Sequence, residues 1–178
     1  LLDFINVLSG DYLDEEKTFV STLMYALKRS GAFLLELDER EIGCLYIPTS
    51  NGYRSGWGIV MYDNSPGGSG HVRELLEMPH KWFQQAGQML YVNSEHHEQC
   101  HKACLLCLLA YDTQVAVARG ELNRRMTHAA LQCLLSGIQP SNIFETYSKA
   151  KLNSDQNGFD LEAQAKALHL NRSQKKRR

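Results

Sequence analysis

The most regular pattern of apolar and polar positions covers residues 14–31, where apolar side chains recur every three or four residues. This spacing places them on one face of an α-helix. Acidic residues open the stretch, and Lys28, Arg29 and Gly31 close it. Because acids favour the start of a helix and cations favour its end, the pattern predicts a helix that is capped by Asp14 and stopped by Gly31.

Short apolar runs that are rich in β-branched and aromatic residues predict strands. Residues 42–48 and 57–63 are such runs, and the Gly, Ser and Asn residues between them predict a hairpin. Residues 89–92 predict a further strand. The run at 33–37 is too short to assign by periodicity, so it either extends the first helix or forms a short strand.

Residues 72–88 have helical spacing, and we expect Pro79 to kink or divide this helix because proline lacks a backbone N–H. The predicted order of elements is αβββαβ. A strand–helix–strand step crosses over right-handed and gives parallel neighbours, so the predicted fold class is α/β (mixed α+β) with a small mixed sheet. Restriction-endonuclease-like folds share this order, which is a resemblance of topology only.

Beyond residue 94 the pattern favours helices, with a cysteine-rich segment, a helix over 105–118 and another that ends at Gly137. We therefore divide the chain into a domain over 1–137, with a sheet half (1–93) and a helical half (94–137), and a segment over 138–178. That segment combines a polar linker, a short amphipathic helix at 159–170 and a basic tail.

Composition excludes collagen-like, low-complexity and wholly disordered chains. With 43% hydrophobic and 22% charged residues, the 178-residue chain has a globular composition. Residues 171–178 hold five of the 19 cations, so the remainder carries 14 cations against 20 acids. An acidic body of this kind does not coat nucleic acid by bulk charge, and any contact with DNA has to come from a local patch.

Signals for targeting and for ATP hydrolysis are not visible in the sequence. The chain has no signal-peptide pattern, no apolar run of membrane-spanning length and no GxxxxGK[ST] phosphate loop. It begins with Leu1 rather than methionine. We therefore expect a cytoplasmic fragment of a longer protein, without catalytic activity of its own and without a membrane partner.

The strongest chemical signal is a cluster of three cysteines, Cys100, Cys104 and Cys107. Their CxxxCxxC spacing brings three thiolates to one tetrahedral ion if a turn or the first turn of a helix carries them. A closed zinc site needs a fourth ligand, and His96 is favoured over His97. The prediction is a structural zinc ion that joins the sheet half to the helical half, so that metal binding contributes to folding.

Other interpretations of these residues stay open. Buried cysteines also serve as small core side chains, and Cys44 and Cys133, each in an apolar context, are read in that way unless one of them supplies the fourth ligand. A catalytic zinc would keep one position open to water and would use a nearby acid such as Glu95 or Glu98.

A glycine-rich loop follows the strand that ends at Asp63 and precedes a helix. This arrangement exposes backbone N–H groups to an anion, so it predicts a phosphate-binding or DNA-binding loop. The alternative is a tight turn that uses glycines at positive φ. The candidate phosphate ligands are Gly67, Gly68, Ser69, Gly70, His71 and Arg73.

Two further possibilities concern DNA. A metal-dependent nuclease of the suspected topology needs paired acids and a lysine on adjacent strands, and these strands offer only Asp63 and the flanking Glu41. A local basic face is also possible, although such charges are usually a solvated helix face. Its members would be Lys102, Arg119, Arg124, Arg125 and the tail.

The glycine-rich loop YDNSPGGSGHVREL, the cysteine segment and the later ELNRRMTHAAL resemble the zinc-binding domain at the C-terminus of MrfA-type DNA helicases, the MZB domain. This domain also resembles part of the DrmB component of the DISARM anti-phage system. The resemblance covers roughly residues 15–135 and includes Gln114, Leu122 and Arg124. Family members commonly carry four cysteines, whereas this cluster has three and a histidine.

The resemblance implies a zinc-binding accessory domain of a bacterial ATP-dependent DNA helicase or translocase that acts in DNA repair or anti-phage defence. Such a domain assists DNA engagement or contact with motor domains and other subunits and carries out no chemistry itself. The alternatives are a protein–protein interaction module without DNA contact and a degenerate nuclease-like domain.

Overall fold

The computed structural model describes residues 2–3, 12–50, 52 and 55–151. The predictions for the helix at 159–170 and for the basic tail lie outside the described residues. The chain divides into two compact units, Leu1–Phe144 and Glu145–Arg178. Described residues of the second unit, 145–151, are helical.

The first unit contains a small sheet and a series of helices. In the part of the chain that the structure describes, no helix has both the length and the apolar character needed to cross a membrane. The elements are β1 (Leu2–Asp3), α1 (Leu13–Leu34), a 3₁₀ helix (Glu39–Glu41), β2 (Ile42–Ser50), β3 (Ser55–Asp63), α2 (His71–Glu77), α3 (Pro79–Leu90), α4 (Ser94–Gln99), α5 (Gln114–Ala118) and α6 (Arg124–Leu135).

The central element is α1, which packs against the hairpin of β2 and β3 and against α3 and α6. Its apolar stripe is buried as the spacing predicts. The predicted ends are wrong, because Tyr12 precedes the first turn and the helix continues through Gly31 to Leu34. It ends where Glu36 takes a positive φ of 56°. Part of the ambiguous run at 33–37 therefore extends the helix.

Gly31 is a packing position rather than a stop. A Cβ atom at Gly31 would lie 2.7 Å from Cδ1 of Leu75 and 3.2 Å from Nε1 of Trp82. The same indole N–H donates a hydrogen bond of 2.8 Å to the carbonyl oxygen of Leu27, one turn earlier in α1. The missing side chain thus allows α2 and α3 to approach the backbone of α1.

The predicted hairpin is confirmed and is longer than the apolar runs. Ile42 pairs with Asp63 at one end and Ser50 pairs with Ser55 at the other, in antiparallel register. β1 adds to the far side of β3, also antiparallel, which gives the strand order β1-β3-β2. The expected mixture of parallel and antiparallel strands is therefore wrong for the described residues, where all pairing is antiparallel.

The predicted strand at 89–92 is also wrong, because α3 extends to Leu90. Leu90 continues a buried stripe with Trp82 and Ala86 at intervals of four residues, which is helical spacing. Without this strand the order αβββαβ and its restriction-endonuclease-like topology do not hold. The broader class, a small mixed α+β fold, is confirmed, and Pro79 divides α2 from α3 as predicted.

Beyond residue 94 the helices are shorter than predicted. Within 105–118 only Gln114–Ala118 is helical, and residues 105–108 form turns. Asn123 begins α6 by accepting a 3.0 Å hydrogen bond from the backbone N–H of Met126. Gly137, with a φ of 71°, follows its end as expected for a left-handed terminator. The cysteine segment therefore lies between helices and not on one.

We expect Gly31→Ala to lower the free energy of unfolding by about 1–2 kcal/mol. The added methyl group overpacks the contact with the fully buried Leu75 and Trp82, and this cost exceeds the gain in helix propensity. Gly87→Ala is the matched control in α3. Its Cβ would meet the flexible amide of Gln132 at 3.2 Å, so the gain in helix propensity should offset the contact. Urea unfolding measures both variants, and equal stabilities would contradict the packing account.

Candidate metal centre

Four potential metal ligands converge in the first unit. One ligand atom from each of His96, Cys100, Cys104 and Cys107 lies within 4.8 Å of all the others. Among the described residues, no other group of three or more His, Cys, Asp and Glu side chains is close enough together to hold an ion. The structure thus brings together the three predicted cysteines and the favoured histidine.

The distances between ligand atoms fit one tetrahedral ion. Sγ of Cys107 lies 3.8 Å from Sγ of Cys100 and 3.8 Å from Sγ of Cys104. Zn–S bonds of about 2.3 Å at tetrahedral angles place two sulfurs about 3.8 Å apart. Nε2 of His96 lies 3.3 Å from Sγ of Cys104, near the slightly shorter S–N edge that zinc requires. The donor set is the one that structural zinc takes.

The short helix α4 positions the first two ligands. Its cap, Asn93, accepts a 2.7 Å hydrogen bond from the backbone N–H of His96, which fixes the first turn. The N–H of Cys100 donates to the carbonyl oxygen of His96 at 2.9 Å and closes the last turn. The imidazole and the first thiol are therefore one helical turn apart and point to the same side.

A tight turn positions the other two ligands. The carbonyl oxygen of Cys104 accepts hydrogen bonds from the N–H groups of Cys107, Leu108 and Leu109, at 3.0, 3.1 and 2.9 Å. The N–H of Cys104 donates to Sγ of Cys107 at 3.2 Å. Backbone N–H groups that point to sulfur favour the thiolate, which is the form that binds a metal.

Burial controls the protonation of the ligands when no metal is bound. Burial raises the pKa of Cys107 to about 12 and also raises that of Cys100. At Cys104 burial acts in the same direction, but hydrogen bonds, including one from the backbone of Leu106, lower the pKa overall. Burial and then Arg124 lower the pKa of His96, which favours the neutral ring that a metal ligand requires. Zinc deprotonates bound thiols, so binding releases protons.

The other candidates for the fourth ligand lie outside the group. The ring of His97 packs at 5.1 Å from that of Tyr91 and at 6.1 Å from that of His128. Cys44 is in β2, where burial raises the pKa of its thiol to about 11, and Cys133 is in α6. Both cysteines occupy the non-ligand positions that their apolar surroundings indicated.

All four ligands come from residues 96–107, so the ion itself does not join the sheet half to the helical half, contrary to our expectation. Hydrogen bonds from arginine side chains make that connection instead. Arg29 of α1 donates through Nη1 to the carbonyl oxygen of Cys107. From the helical half, the guanidinium of Arg124 donates to the carbonyl oxygen of Leu90 at the end of α3. The backbone N–H groups of Arg124 and Arg125 donate to the carbonyl oxygens of Lys102 and His101, which connects the cysteine segment to α6.

Arg124 is the member of the possible basic face whose position differs most from the sequence prediction. Both interpretations of the sequence, a local basic face and a solvated helix face, predict an exposed side chain, but Arg124 is fully buried. Its guanidinium donates to the carbonyl oxygens of Leu90, His97 and Cys100, with Nε at 2.8 Å from the last of these. Arg125 donates to the His97 carbonyl at 3.1 Å. Of the predicted basic face within the described residues, Lys102 and Arg119 are exposed.

A carboxylate of the chain itself accepts hydrogen bonds from the backbone at the glycine-rich loop. The carboxylate of Asp63 accepts hydrogen bonds from the N–H groups of Gly70 at 2.7 Å and Val72 at 2.9 Å. The bond from Val72 contributes most to lowering the pKa of Asp63. Gly67, Gly68 and Gly70 have positive φ, as the turn interpretation requires. Phosphate binding by the loop stays a prediction, and a phosphate would share these donors with Asp63.

The remaining candidate residues also have partners within the chain. His71 lies 3.7 Å from Glu41, and Arg73 lies 3.9 Å from Glu77. Because Glu41 also accepts from the N–H of Asp38, the two acids of the nuclease hypothesis are engaged in capping interactions. The geometry gives these carboxylates structural roles.

The geometry of the site argues against a catalytic zinc. Three sulfurs and one imidazole complete a tetrahedral set and leave no position for water, which is typical of structural sites. Glu95 and Glu98 are exposed on α4, and Glu95 accepts a 3.2 Å hydrogen bond from Gln99. The site therefore fits a domain that is not catalytic.

We expect His96→Gln to lose most of its zinc and to melt at a lower temperature, because a structural ion contributes its binding energy to folding. His97→Gln is the matched control, one residue away and outside the ligand group, and it should retain one zinc per chain. Elemental analysis and thermal unfolding measure both. Equal zinc content in the two variants would exclude His96 as the fourth ligand.

Comparison with known proteins agrees with this geometry. The model of the MZB family, described as the MrfA Zn-binding domain, matches residues 23–108. The match includes all four ligands and the glycine-rich loop and ends before Gln114, Leu122 and Arg124. Neither the search of curated proteins nor the search of solved structures returned a match. The chain therefore contains an MZB-type zinc-binding domain, and residues 23–108 are the part of the chain that matches the family model.

Proposed function

We propose that this domain is a zinc-stabilised accessory module of a bacterial ATP-dependent DNA helicase or translocase that acts in DNA repair or anti-phage defence. The observation that carries the proposal is the closed site of three cysteines and one histidine within a domain of the MrfA zinc-binding family. The module contributes no chemistry and supports DNA engagement by the motor domains. A cytoplasmic location is part of the proposal, because reduced thiols persist in that compartment.

DNA would meet this domain through a few exposed cations and not through a broad basic face. Arg124 and Arg125 are occupied by backbone carbonyls, as described above. Arg73, with 87% of its side chain exposed, stands in the first turns of α2 next to the glycine-rich loop. We propose that Arg73 contacts a phosphate of the DNA while the motor domains supply most of the affinity.

A second function, a protein–protein interaction module, is favoured by a separate observation. The segment that carries Cys107 also exposes large apolar side chains to solvent. Leu105 is 76% exposed, Leu106 is 69% exposed and Tyr111 is 91% exposed. Exposed apolar groups so close together are typical of surfaces that contact another protein.

DNA binding by the 178-residue chain distinguishes these functions. We expect weak binding to single-stranded or duplex DNA that falls steeply between about 50 and 200 mM salt. Arg73→Ala should weaken it and lower the salt dependence by about one phosphate contact. The matched control is Arg40→Ala, an arginine that is 88% exposed but held by Asp38 through two hydrogen bonds. Fluorescence anisotropy measures all three proteins.

Absence of binding at low salt would overturn the DNA proposal and favour the interaction module. Equal effects of the two arginine substitutions would overturn the role of Arg73. A zinc-loaded and folded sample, verified by elemental analysis, is required in each case so that loss of binding is not caused by unfolding.

A further inference from the structure

The fully buried side chain of Arg124 has an unusual set of partners. Of the lysines and arginines in the described residues, only Arg124 is fully buried. Its guanidinium donates hydrogen bonds to three backbone carbonyls. No carboxylate of the described residues lies within ion-pair distance of it. Arg29 differs, because Glu39 lies 3.3 Å from its Nε. A buried charge without a counter-charge is unfavourable.

The metal site carries an excess of negative charge once zinc is bound. Three thiolates and a neutral imidazole around a divalent ion carry a net charge of minus one. Two of the three sulfurs belong to buried residues, Cys100 and Cys107. A neighbouring cation therefore stabilises the loaded site, and Arg124 reaches the carbonyl oxygen of Cys100 itself.

We propose that Arg124 is the internal counter-cation of the zinc–thiolate site and also positions its ligands. Its fork of donors fixes the ends of α3 and α4 at Leu90, His97 and Cys100, and its charge balances the three thiolates. In this role it supports the metal without touching it, as residues outside the ligand set commonly do. The inference depends on zinc binding and is independent of the DNA proposal.

Two substitutions in the 178-residue chain separate charge from hydrogen bonding. Arg124→Gln keeps hydrogen-bond donors and removes the charge, so we expect zinc affinity to fall by about 10- to 100-fold. Arg124→Lys keeps the charge and loses the planar fork, so we expect a loss of less than about tenfold. Competition with a chromophoric chelator at fixed pH measures the affinity for zinc alone.

Loss of stability by itself also lowers zinc affinity, so a control for stability is needed. Leu131→Ala removes a fully buried side chain from the same helix without removing any charge. The affinity of each variant is compared with its free energy of unfolding without metal. If Arg124→Gln loses no more zinc affinity than Leu131→Ala at equal loss of stability, the role as counter-cation is excluded.

A charge-matched pair gives a second test. Cys104→His makes the loaded site neutral, so Arg124→Gln should reduce zinc affinity less in that background than in the wild-type protein. Additive effects would contradict the proposal, because a purely structural arginine has no coupling to ligand charge. Arg124→Lys keeps the charge, so failure of this variant to fold with zinc present, or a loss of zinc affinity equal to that of Arg124→Gln, would overturn the charge assignment.

Discussion

The structure of the cysteine segment depends on four ligand atoms that meet within residues 96–107. Between the end of α4 and the start of α5 the backbone forms turns and has no regular element. Three of the four potential ligands, His96, Cys100 and Cys107, are buried. Without a metal, contacts between neutral thiols and a neutral imidazole would stabilise the fold only slightly. A zinc ion converts them into one bonded unit, which is why this donor set belongs to the folding of the domain and not to its chemistry.

Arginine side chains connect this unit to the rest of the domain. Arg29 reaches the loop from α1, and Arg124 reaches it from α6. Backbone carbonyls at the ends of α3 and α4 would otherwise be buried without partners, which is costly. The guanidinium groups satisfy several of them at once, so the metal site and the helical core are stabilised together. Because α1 also packs on β2 and β3, it links the cysteine segment to the hairpin.

Local patterns predicted the parts of the structure that local forces determine. The stripe of α1, the hairpin at 42–63, the division at Pro79 and the convergence of His96 with three cysteines all follow from spacing. Tertiary contacts decided the rest. Gly31 is helical because other elements pack on it, Leu90 belongs to a buried helical stripe, and Arg124 is buried although arginine is usually exposed. The resemblance to the MZB family includes Arg124, but spacing and composition do not distinguish this arginine from exposed ones.

Zinc-edge X-ray absorption of the protein purified with its metal tests the central claim most directly. The account predicts three sulfur ligands at about 2.3 Å and one nitrogen ligand at about 2.0–2.1 Å, with no oxygen from water. Four sulfur ligands, an oxygen in the first coordination shell, or a sample that contains no zinc would contradict it.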